Sequence, residues 1–118
     1  MKKTDSNEWI LKEEGDSCRA RVGLTKKAAH ELEQIVFVKL PQVGDLVEKG
    51  EEIAVLESLK AAADAYSPAQ GRITAVNDKL LKTPNLITTD PYGQGWLYEI
   101  ELFNVSEYHS LEDHPGVF

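Results

Sequence analysis

A chain of 118 residues, 42% hydrophobic and 28% charged, is long enough for one compact domain over residues 1–118 and too short for two ordinary ones. Its formal charge of −7, with no Lys/Arg cluster interleaved with aromatic residues, argues against nucleic acid as a partner and suits transient docking onto basic patches of other proteins. Cys18 is the only cysteine, so neither a disulfide framework nor a cysteine-based zinc site can be built within one chain. No run approaches the roughly 20 apolar residues that a membrane span needs, and Met1 to Glu8 lacks an apolar targeting core. A monomeric, cytoplasmic protein, bacterial in character, is the expectation.

Short apolar runs cut by Gly, Pro or Asp punctuate the chain, which predicts a mostly β fold. Trp9 to Leu11 and Arg19 to Gly23 flank Gly15-Asp16 and predict a first hairpin, because glycine tolerates positive φ in the turn. Thr25 is placed to cap a short helix from Lys26 to Leu32, with Ala28, Ala29 and Leu32 on one face. Ile35 to Leu40, rich in β-branched and aromatic residues, predicts a buried strand that stops at Pro41. Residues 42–50 then turn twice around Gly44 and Gly50. Ile53 to Leu56 and Ala61 to Tyr66 form two strand-like arms separated by Glu57-Ser58-Leu59-Lys60, a polar tip.

Beyond the turn at Ser67 to Gly71, Arg72 to Asn77 resumes as a strand. The units around 43–56 and 66–77 hint at internal pseudo-symmetry. Asp78 to Leu81 and Asn85 to Thr89 read as helical turns, the first of which must stop before Pro84. Leu97 to Leu102 alternates cleanly, with Tyr98, Ile100 and Leu102 on one face and Glu99 and Glu101 on the other, which predicts a half-buried strand. Asn104 and Glu107 have capping-box spacing, so a helix is expected through about Glu112, followed by a frayed end.

Few residues offer chemistry of their own. His30, His109 and His114 have no metal-ligand spacing, the glycines form no phosphate-binding loop, and Cys18 reads as an inert thiol. No general acid and base can be picked from the many carboxylates. Lys60 is the exception: a lysine projecting from a hairpin tip is solvated, and a modifying enzyme can reach it. Its amine can carry an amide-linked group on a long flexible stem, which would bring one carrier to several active sites at high effective concentration.

The segment Val55-Leu56-Glu57-Ser58-Leu59-Lys60-Ala61-Ala62-Ala63-Asp64-Ala65-Tyr66-Ser67-Pro68 resembles the lipoyl-attachment hairpin of the glycine cleavage system H protein family. Asn7-Glu8-Trp9, Val22-Gly23-Leu24-Thr25, Leu40-Pro41-Gln42-Val43-Gly44-Asp45, Gly71 through Asn77 and Asp90-Pro91-Tyr92-Gly93-Gln94-Gly95-Trp96-Leu97 look like family landmarks in family order. The resemblance covers about residues 7–102. It implies a lipoyl/biotinyl-domain-like flattened barrel or sandwich of two small antiparallel sheets with short flanking helices.

It further implies lipoate bound covalently at Lys60, with Glu57 aiding recognition by the lipoate ligase or lipoyl transferase. The implied role is a non-catalytic carrier that takes an aminomethyl group from the glycine decarboxylase (P protein) to the aminomethyltransferase (T protein). Dihydrolipoyl dehydrogenase (L protein) would then reoxidise the arm. In this family the loaded arm rests in a cleft of its own domain, and Glu13 and Glu14 are candidates for polar contacts there.

Asn7, Leu59 and Glu33-Gln34 stand where His, Val and Gly-Asp are usual, and residues 103–118 form a short divergent end. These departures motivate an alternative, an H-like carrier or lipoate relay outside glycine cleavage. A biotin carrier resembles Met-Lys-Met at its tip, whereas Leu59 and Ala61 flank the lysine here.

Overall fold

A computed structural model describes residues 1–116. Its elements in chain order are β1 (Lys2–Lys3), β2 (Glu8–Lys12), β3 (Arg19–Leu24), α1 (Lys26–Leu32), β4 (Ile35–Lys39), β5 (Leu46–Val47), β6 (Glu52–Ser58), β7 (Ala62–Tyr66), β8 (Gly71–Val76), α2 (Lys79–Lys82), α3 (Leu86–Thr89), β9 (Tyr98–Leu102), α4 (Val105–His109) and β10 (Glu112–Asp113). They form two antiparallel sheets, one ordered β10-β1-β2-β3-β9-β8-β5 and the other β4-β6-β7, neither of them closed. The fold is therefore the expected mostly β sandwich, though one sheet is larger than the resemblance suggested. No described helix is long and apolar enough to cross a membrane.

Period-two patterning explains the layering. Ile10, Val22, Ile73 and Ile100 from the seven-stranded sheet and Val38, Leu56 and Ala65 from the three-stranded sheet belong to one buried cluster. Tyr98, Ile100 and Leu102 are buried as the alternation of β9 requires, with Glu99 and Glu101 partly exposed.

The first hairpin forms as expected, with Gly15 at φ 76° and Trp9 opposite Gly23. That pairing lets the Trp9 ring lie across the glycine and donate from Nε1 to Pro91 O at 2.9 Å, tying β2 to the loop at 90–95. Thr25 caps α1 by accepting from Ala28 N.

The units around 43–56 and 66–77 are bonded to each other. Gly44 N donates to Ile73 O, Ile73 N to Asp45 O, Gly50 N to Ser67 O, and Ser67 N to Glu51 O. Between them Leu46 faces Arg72 and Val47 faces Gly71. Gly44 and Gly50, at φ 96° and 82°, supply the left-handed turns that bend the chain back.

The C-terminal expectation needs correction. The helix ends at His109, and Glu112–Asp113 pairs with Lys2–Lys3 as an edge ladder instead of continuing α4, while the expected frayed end lies outside the described residues. Leu111 N on Tyr108 O makes the turn out of the helix, and His114 N donates to Met1 O. Two-residue strands leave no periodicity to read, which is why β1 and β10 escape sequence analysis. Phe118 and Val117 lie outside the described residues.

A Cβ at Gly23 would stand 2.6 Å from Trp9 Nε1. Gly23→Ala is expected to cost about 1–3 kcal/mol by overpacking and to lower the melting temperature by several degrees, measured by thermal unfolding followed by circular dichroism.

Candidate functional site

Strands β6 and β7 pair down to Glu57 opposite Ala62, and one side chain closes the turn beyond them. Ser58 Oγ accepts from Lys60 N at 3.2 Å and from Ala61 N at 3.0 Å, and donates to Ala61 O at 3.1 Å. Ser58 N donates to the same carbonyl at 2.8 Å. A short hydroxyl side chain that satisfies local backbone groups is what lets so tight a tip hold its shape. Leu59 and Lys60 are left at the apex, and the Lys60 side chain is 55% exposed. A primary amine exposed to this degree can be reached and acylated.

Around the tip, Glu57 is exposed on the outer face of the small sheet, opposite Phe37 and Ala62. The carboxylate that contacts Lys60 is a different one: Glu33 Oε1 lies 3.4 Å from Nζ. Sequence reasoning marked Glu33 only as a departure from the usual Gly-Asp. Its backbone is left-handed, with φ 64°, a conformation that glycine adopts more readily than glutamate.

Asp64 sits opposite Val55 on the same outer face. A hydrogen bond and charge repulsion from Asp64 raise the Glu52 carboxyl above its ordinary range, partly offset by Lys39.

A second feature lies at the other end of the hairpin. The Glu8 side chain is 1% exposed. Its Oε1 accepts from Thr4 Oγ1 at 2.5 Å and Ser6 Oγ at 2.6 Å, and its Oε2 accepts from Tyr66 N at 3.2 Å. The carboxylate borders a cleft of about 480 Å3 lined also by Lys49, Ser67 and Pro68. The fully buried Tyr98 hydroxyl has Ser67 and Glu8 as polar neighbours, and burial pushes its ionisation well above the usual phenol range, so it stays neutral.

Glu8 was visible in the sequence only as part of Asn7-Glu8-Trp9. The available signal was alternation: Glu8 shares the inward face of β2 with Ile10, and an acid on a core face calls for hydroxyl or amide partners.

Glu13 and Glu14 stand beyond the opposite end of β2, about 13 Å of strand from Glu8. There Lys12 Nζ donates to the carbonyls of Glu13, Gly15 and Ser17, and Ser17 Oγ donates to Glu13 Oε2. The structure does not bring these two acids to the hairpin that carries Lys60.

Of the histidines, His114 packs at a tilt against Tyr92 with ring centroids 5.6 Å apart and shares a 2.7 Å hydrogen bond with its hydroxyl, while His30 and His109 are exposed. Cys18, half-buried, lies just before β3. Among the described residues no group of three or more His, Cys, Asp or Glu is placed to hold a metal.

A family model described as Glycine cleavage H-protein matches residues 1–116. A probable glycine cleavage system H protein from Aeropyrum pernix is 47% identical over 111 residues, 94% of this chain and 76% of the relative. A glycine cleavage system H protein from Thermus thermophilus is 44% identical over 113 residues, 96% of this chain and 86% of the relative. Among solved structures, a glycine cleavage system H protein from Mycobacterium marinum aligns with a TM-score of 0.79 at 40% identity, covering 86% of this chain and 82% of that one.

The raised Glu52 carboxyl has a sign. The folded state binds protons more readily than the unfolded one, so this pair costs stability as pH rises through the region just above the ordinary glutamate range. Glu52→Gln is expected to raise the melting temperature at pH 7 and to lose that gain near pH 4, as measured by thermal unfolding across pH.

Proposed function

Because the chain belongs to the glycine cleavage H-protein family, and so is a lipoyl carrier of glycine cleavage, we propose that Lys60 is the residue that bears the lipoyl group. The observation that carries this reading is the Ser58-clamped tip, which leaves an exposed primary amine at the apex of a defined hairpin. The attachment fits this tip: the amine is reachable, and its ion-pair partner, Glu33, is itself exposed. Lipoate, joined to Nζ as an amide, would supply the dithiolane that accepts the aminomethyl group from glycine.

The chain's own contribution is position, charge and shelter. Glu57, Glu52 and Asp64 on the outer face of the small sheet give the hairpin an acidic flank. That flank suits basic surfaces around the active sites of the glycine decarboxylase, the aminomethyltransferase, dihydrolipoyl dehydrogenase and the lipoate ligase or transferase, where long-range attraction speeds encounter. Glu57, beside the tip, is the residue we assign to recognition by the modifying enzyme. The protein acts as a carrier subunit, with no catalytic step assigned to its side chains, in the cytoplasm where those partners work.

Shelter is assigned to the Glu8 cleft in place of Glu13 and Glu14. Strand β7 runs from the lysine tip to Tyr66, whose N–H bonds Glu8, so lysine and cleft stand at the two ends of one hairpin arm. A buried carboxylate steadied by two hydroxyls is suited to hold a cationic amine away from water.

Glycine–bicarbonate exchange with the decarboxylase and lipoylated protein tests the reading. Lys60→Arg is expected to abolish exchange, and Glu8→Gln to slow it about tenfold or more, since a hydrogen bond to a charged group contributes about 1.5–3 kcal/mol. Full exchange by Lys60→Arg would refute the assignment.

A further inference from the structure

The Lys60 amine is held back against the body of the protein. Its Nζ is 3.4 Å from Glu33 Oε1, and the two side chains are 55% and 70% exposed. Glu33 reaches it from the residue after α1, across a gap of 27 positions in sequence. The backbone there is locked from both sides. Glu33 N donates to His30 O at 3.2 Å, Thr88 Oγ1 donates to Glu33 O at 2.7 Å, and Ile35 N donates to Asn85 Oδ1 at 3.0 Å.

Within that lock Glu33 adopts φ 64° and ψ −123°, a strained region for a residue with a side chain. Strain at a non-glycine residue persists only where the surroundings impose it, and here its product is a carboxylate aimed at the one lysine of the hairpin tip.

We infer that Glu33 is a positioning residue for Lys60 in the unmodified chain, holding its ammonium against the α1–α3 flank until the nitrogen is acylated. The inference rests on Lys60 being the modified residue. An amide nitrogen carries no charge, so modification itself dissolves the ion pair and frees the arm to leave the body. The contact therefore distinguishes the two states of the protein: docked before modification, undocked after it. It also works against entry into a modifying enzyme, because the side chain must leave Glu33 before it can extend.

An exposed ion pair of this kind is modest in strength, and the free-energy range typical of such pairs corresponds to about a 1.4- to 5-fold effect on the availability of the amine. The attraction is sensitive to salt, since the screening length falls to about 3 Å at 1 M.

Chemical acylation with an N-hydroxysuccinimide ester of acetate, quantified lysine by lysine through peptide mass mapping, reads the contact without any enzyme. In the unmodified full chain at low ionic strength, Lys60 is expected to react about 1.4- to 5-fold faster in Glu33→Gln and in Glu33→Gly than in the wild type. The other lysines should keep their rates, and at 1 M salt the Lys60 difference should vanish. Glu33→Gly alone should also melt higher, by relief of the strained φ, which separates charge from backbone.

A lipoate ligase assay should show the same rise in kcat/KM for both variants. Equal Lys60 reactivity in all three proteins, or a uniform rise across all lysines, would overturn the inference. A ligase that leaves Lys60 unmodified while the chemical rates shift as expected would strike the Lys60 assignment and leave the Glu33 contact standing.

Discussion

The Glu8 carboxylate is the point at which the two sheets of this protein are bound to each other by a charged group. It leaves β2 of the large sheet, takes hydroxyl donors from Thr4 and Ser6, and takes the Tyr66 amide from β7 of the small one. Burying an acid at 1% exposure is costly unless each oxygen is met by a donor, and here both are. The loop at 4–7 is shaped to that end, with Asn7 in a left-handed turn and Thr4 bonded to Glu8 at both main chain and side chain. One constraint thus fixes how the lysine hairpin sits on the larger sheet, and places a polar cleft at its foot.

From that junction the paired strands β6 and β7 extend to a tip that the chain makes with little material. Ser58 alone closes the turn, so Leu59 and Lys60 carry no structural duty and can face outward. The division of labour suits a carrier. The reactive group is borrowed, while the protein supplies a fixed stem, an acidic flank for docking and a pocket with a buried charge. Glu33 adds a local hold on the unmodified amine from outside the hairpin. The short C-terminal end, divergent from the family pattern, becomes an edge strand on β1 and lies on the far margin of the large sheet from β5.

Sequence reading recovered the elements whose patterns are long enough to repeat. The alternation of Tyr98, Ile100 and Leu102, the Thr25 cap and the Gly15 turn each have a local physical cause that the structure shows at work. The units around 43–56 and 66–77, which the sequence marked for their similar strand-and-turn pattern, exchange main-chain hydrogen bonds.

Long-range pairings were what the sequence hid. The two-residue ladder of β1 and β10 joins the ends of the chain, Glu8 meets Tyr66 across 58 positions, and Glu33 meets Lys60 across 27. No local periodicity encodes such contacts. Glu13 and Glu14 were candidates for polar contacts in the cleft, yet strand geometry carries them to the opposite end of β2 from Glu8.

The central claim is that Lys60 carries the lipoyl group, and peptide mass mapping of the protein purified from lipoylating cells tests it most directly. The account requires one lipoyl group, located on Lys60. An unmodified Lys60 in cells whose other lipoyl proteins are modified, or a lipoyl group on any other lysine, would contradict it.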